Sequence, residues 1–85
     1  MANEQVQQIV VRAVQKAYDE WAGEHPSLAT VIDRITLTQQ AVESLRQSQE
    51  YRQAVENYQR SSAELELLGS LIELAKPVIA AMLAG

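Results

Sequence analysis

Residues 65–84 constrain this chain more than any other stretch, because 14 of these 20 positions are apolar in a protein of only 85 residues. They fall in two neighbouring helical stripes. Leu65, Leu68, Ile72, Ala75, Ile79 and Met82 recur at spacings of three and four. Leu67, Leu71, Leu74, Val78 and Ala81 do the same one column over. A surface helix presents one such stripe, whereas a helix that is apolar over most of its circumference needs neighbours on several sides. A chain this short supplies few neighbours. Folding alone, it buries roughly 60–65% of its unfolded surface. With no Cys it has no disulfide and no thiolate ligand to add support. The expected fold is therefore all-α: a small antiparallel helical bundle or hairpin of about three helices, in one domain, completed by oligomerisation.

The first element is the most regular. Val6, Ile9, Val10, Ala13, Val14, Ala17 and Trp21 lie on one face of a helix over about 4–22. Asn3 is in place to cap its start and Gly23 to end it in the left-handed region. Lys16 and Glu20 form an i,i+4 pair on the wet side. After Glu24, His25 and Pro26, a second helix begins near Ser27, with Leu28, Val31, Ile32, Ile35, Val42 and Leu45 inward. No Gly or Pro interrupts it before Gly69, so the helical region runs over about 27–75. A break is expected at Ser48 or at Ser61, or nowhere. Ser61 has Glu64 three residues on, the spacing of a capping box. Between these sites Tyr51, Val55, Tyr58, Ser62 and Leu65 make a seam one stripe wide, which is coiled-coil geometry. Arg52–Glu56 and Glu56–Arg60 are i,i+4 ladders beside it. Pro77 lacks the N–H that would bond the Glu73 carbonyl, so a short terminal helix over about 77–84 is predicted beyond it.

Charge excludes several functions. The net charge is −4, and Lys and Arg are scattered, so the basic stripe of a nucleic-acid binder is absent. The apolar third carries Glu64, Glu66 and Glu73 against Lys76 alone, which disfavours anionic lipid. Glu73, Lys76 and Pro77 interrupt it, so no membrane span is expected. The N-terminal residues show no basic leader followed by an apolar core, and a cytoplasmic location is expected.

Chemical equipment is sparse. His25 is the one His, and no Glu-x-x-His occurs, so neither a di-iron site nor any other metal site is expected. Three Gly residues, dispersed, build no phosphate loop. The Ser residues lie outside any strand–turn–helix context. Asp33, Glu43, Glu50 and Glu56 read as a wet helical face. No enzyme activity, catalytic residue or cofactor is expected.

The aromatic residues offer two readings each. Trp21 is an interface anchor or the plug at one end of the bundle. Tyr51 and Tyr58 share a face that lines a dimer seam or edges the core. Trp21-Ala22-Gly23, placed between two helices, resembles the turn motif of the WXG100 family of small secreted helical-hairpin proteins. The resemblance covers three residues and the helix–turn–helix context, and it implies an exported hairpin. That family's Tyr-x-x-x-Asp/Glu export signal is missing, since Val55 follows Tyr51 and Ser62 follows Tyr58 at that spacing.

The expected function is non-catalytic: a small, acidic, bacterial-type helical assembly or adaptor protein acting by self-association and protein–protein contacts. A homo-oligomer is expected, a dimer first, with a protein partner on the C-terminal apolar segment as a further possibility. The interface set is Leu65, Leu68, Ile72, Ala75, Ile79 and Met82, with Tyr51, Tyr58 and Trp21. The alternatives are an exported helical-hairpin protein and a protein docked on a membrane surface.

Overall fold

The strict apolar period of the first segment becomes a helix, α1, over Ala2–Glu24. The computed structural model describes residues 2–29, 33–61 and 63–84, which are all-α. Four further helices follow: α2 (Pro26–Ala29), α3 (Arg34–Gln47), α4 (Gln49–Ser61) and α5 (Glu64–Ala84). Val31, Ile32 and Ser62, assigned inward positions above, lie outside the described residues, as does the Asn3 side chain.

Three side-chain devices set the boundaries. Asp33 caps α3: its carboxylate accepts from the Ile35 backbone N–H at 3.1 Å and from the Thr36 hydroxyl at 2.6 Å. Ser48 stands between α3 and α4 in extended backbone and serves both. Its N–H and hydroxyl bond back to the Leu45 carbonyl at 3.0 and 2.9 Å, and its Oγ accepts from the Tyr51 N–H at 3.1 Å. Ser61 closes α4 instead of opening α5. Its hydroxyl donates to the Asn57 carbonyl at 2.8 Å and its Oγ accepts from the Ala63 N–H at 3.4 Å.

Two sequence expectations need correction here. Gly23 does not end α1 in the left-handed region; it lies inside the last helical turn, which runs on to Glu24. Pro77 does not start a separate helix; it sits within the 21-residue α5. Both Pro77 and Glu73 are exposed. The turn that Pro77 disrupts therefore lies on the exposed face of α5, outside the core.

The helices stack as long neighbours within 41 × 21 × 20 Å. Asp19, late in α1, pairs with Arg34, at the start of α3, while Val6 lies beside Tyr51 and Val55 of α4. The α3–α4 segment thus runs antiparallel to α1. Glu20–Glu24 faces Lys76–Ala80, so α5 returns alongside α1, on which it packs most extensively. The core joins Val6, Ile9, Val10, Ala13, Val14, Ala17 and Tyr18 of α1 to Leu37, Ala41, Val42 and Leu45 of α3. Leu67, Leu71, Ala75 and Ile79 of α5 complete it. The register of α3 differs from the sequence reading. Leu28 and Ile35, expected inward, are 51% and 70% exposed, while Leu37, Thr38 and Ala41 are buried. The cap at Asp33 starts a new helix there, which resets the face relative to Ser27.

Candidate functional site

The two apolar stripes of the C-terminal segment divide between core and surface. Ala75 and Ile79 are fully buried inside the chain, together with Leu67 and Leu71 of the second stripe. Leu68, Ile72 and Met82 are half-buried against the same core. Leu65 stands out at 83% exposed. α1, α3 and α4 therefore cover much of the surface that the sequence left without a partner, and Ala75 and Ile79 face neighbours within the chain.

What remains is an edge. Leu65, Leu68 and Ile72, spaced three and four, lie on one side of α5. Lys76, four residues on, reaches across to Glu20 of α1 at 3.0 Å, with Glu73 at 3.7 Å. That contact places the edge on the α1 side of α5. Glu20, its hydrogen bond first and its charge second, holds the Lys76 ammonium above the usual lysine range. Glu20 is thus taken by Lys76 instead of by Lys16. The Arg52–Glu56 and Glu56–Arg60 ladders do not close into ion pairs among the described residues.

Tyr51 and Tyr58 are half-buried against the core, with Ala54 and Val55 beside them. Trp21 is also half-buried, at the end of α1, 4.9 Å from the His25 ring and 6.2 Å from the Tyr18 ring between centroids. Tyr18, which the sequence reading left off the inner face, is buried; its hydroxyl donates to the Ala29 carbonyl at 3.4 Å. Arg34 lies 5.9 Å over the Tyr18 ring while binding Asp19 at 3.1 Å. This cluster fastens α1 to α2 and α3. Trp21-Ala22-Gly23 belongs to the final turns of α1, so the tripeptide does not form the turn between helices.

The clefts offer packing surface and little chemistry. One cleft of about 590 Å³ lies between α1 and α3, with Val11, Ile35, Thr38 and Val42 among Gln side chains, Glu43 and Arg46. No group of three His, Cys, Asp or Glu suited to a metal ion occurs among the described residues. The Asp33 carboxyl is held below its ordinary range. It is lowered by the Thr36 hydroxyl first and by backbone N–H groups at the helix start, a capping arrangement.

With Pro77 inside it, α5 is long and apolar enough to cross a membrane, judged by length and composition alone; 22% of its most apolar window is buried. Magnitudes weigh against that use. A charged residue near a span's centre costs about 2.5–3.5 kcal/mol, and each Leu, Ile or Val returns about 0.3–0.6 kcal/mol. Glu73 and Lys76 together then cost about 5–7 kcal/mol against about 2.7–5.4 kcal/mol returned by the nine Leu, Ile and Val residues of α5, which offsets most or all of the apolar gain. Comparison with protein-family models, curated proteins and solved structures found no match.

Proposed function

We propose that this chain is a non-catalytic assembly or adaptor protein that works by joining a second copy of itself through the Leu65–Leu68–Ile72 edge of α5. The observation that supports this reading is the Leu65–Leu68–Ile72 edge. Leu65 is the most exposed large apolar residue described, and it continues a strip whose other members are half-covered. Hiding one Leu or Ile fully is worth about 1.5–3 kcal/mol, so a strip of three is enough to bias an association equilibrium. A two-fold contact lays the same strip on itself, which needs no second binding surface. The refined interface is therefore Leu65, Leu68 and Ile72. Ala75 and Ile79 act from behind by fixing the helix that presents it.

Leu65→Glu is the discriminating variant, because so exposed a side chain contributes little to the fold of the single chain. We expect sedimentation to show a dimer for the parent chain and a monomer for Leu65→Glu, with thermal stability of the variant monomer shifted by less than about 0.5 kcal/mol. A variant that sediments as the parent does would remove the edge from the interface.

A further inference from the structure

We propose that α4 is a strap that opens as a unit while α1, α3 and α5 stay packed. Three independent features lead there. First, among the described residues α4 is bounded by non-helical positions at Ser48 and Ala63, so it can leave without unwinding its neighbours. Second, it owns no buried residue, whereas α1, α3 and α5 each place several in the core. Its inward side chains, Tyr51, Ala54, Val55 and Tyr58, are all half-buried, and it contains no Leu, Ile or Met. Third, two surface clefts flank it. Tyr51 and Val55 line one of about 210 Å³ together with Val6 of α1, and Ala54 and Tyr58 line one of about 110 Å³ together with Leu67 of α5.

The physical consequence is a low-lying open state. Elements with few buried contacts open at lower free energy than the core and do so as contiguous units. What holds α4 to the bundle is the half-buried packing of Tyr51, Ala54, Val55 and Tyr58, while the Ser48 cap secures its first turn. When the strap lifts, Val6 and Leu67 become accessible. Leu67 adjoins Leu68, so the open state extends the apolar surface of α5 around the helix.

Amide hydrogen exchange on the full chain, followed residue by residue, tests this. We expect amides 53–61 to exchange at least about tenfold faster than those of residues 9–17, after correction for intrinsic rates. Their opening should also depend less on added denaturant, because less surface is exposed. Ile79→Val, in the core away from α4, should speed the slowest core amides roughly two- to thirteen-fold and leave 53–61 unchanged. Ser48→Ala should speed 53–61 together, roughly two- to thirty-fold. The proposal is overturned if 53–61 accelerate with Ile79→Val by the same factor as the core, which is the mark of global unfolding. It is also overturned if Ser48→Ala leaves those amides unchanged.

Discussion

Thr38 is the most uneconomical side chain in the core. It is 6% exposed, and its Oγ1 has no hydrogen-bond partner. A buried hydroxyl left unpaired forfeits its hydration, at a cost of about 1–3 kcal/mol in proteins. Val has nearly the same shape and no polar atom, and both are β-branched, so helix propensity changes little. Thr38→Val should therefore stabilise the chain, by about 1 kcal/mol, read as a higher midpoint in urea with unchanged slope. A loss of stability would mean that the hydroxyl is satisfied in solution. The same position shows why part of the core was hard to read from sequence. Counting Thr38 as polar left Leu37 and Ala41 without the flanking column that reveals the inner face of α3, although Leu45 was read as inward.

Among the helices, legibility followed the strength of local signals. α1 was readable because seven apolar positions keep one period and nothing competes with it. Its end was misplaced because Gly23 is an ordinary helical residue there, and His25 N–H bonds the Trp21 carbonyl at 3.0 Å beyond it. The choice between Ser48 and Ser61 as a break dissolved: α3 gives way to α4 at Ser48, and α4 ends at Ser61. The start of α3 was missed, since Asp33 resembles any wet-face carboxylate until Thr36, three residues on, is recognised as its hydrogen-bond donor. Pro77 misled for a different reason: the turn it disrupts lies on the exposed face of α5, outside the core.

The Asp33 cap makes α3 sensitive to acid. Its folded pKa lies below the unfolded value of about 3.9, so its contribution is present above that value and is lost as pH falls through the folded pKa. Asp33→Ala should lower the melting temperature at pH 7, and the gap to the parent chain should shrink progressively below about pH 4. A gap that stays constant down to pH 2 would show that the carboxylate charge contributes nothing to the cap.

For the molecule as a whole, the apolar C-terminal helix is mostly a solution to a small-protein problem. α5 lies alongside α1 and supplies Leu67, Leu71, Ala75 and Ile79 to a core that α1 and α3 alone would leave open. The sequence showed that residues 65–84 needed neighbours; it did not show that the chain itself provides most of them, because that depends on α3 folding back along α1 and α5 then packing on both. Of the residues marked for an interface, Leu65, Leu68 and Ile72 form the remaining edge, Met82 is half-buried further along α5, and Tyr51, Tyr58 and Trp21 pack against the core. The proposed self-association therefore rests on a narrower strip than the composition suggested, and a dimer of moderate affinity is expected. Light scattering behind a sizing column, over a tenfold dilution, decides this. A mass near twice 9.5 kDa that declines toward one chain on dilution is the expected result. A mass of one chain at every concentration, with the protein fully folded, would contradict self-association through α5.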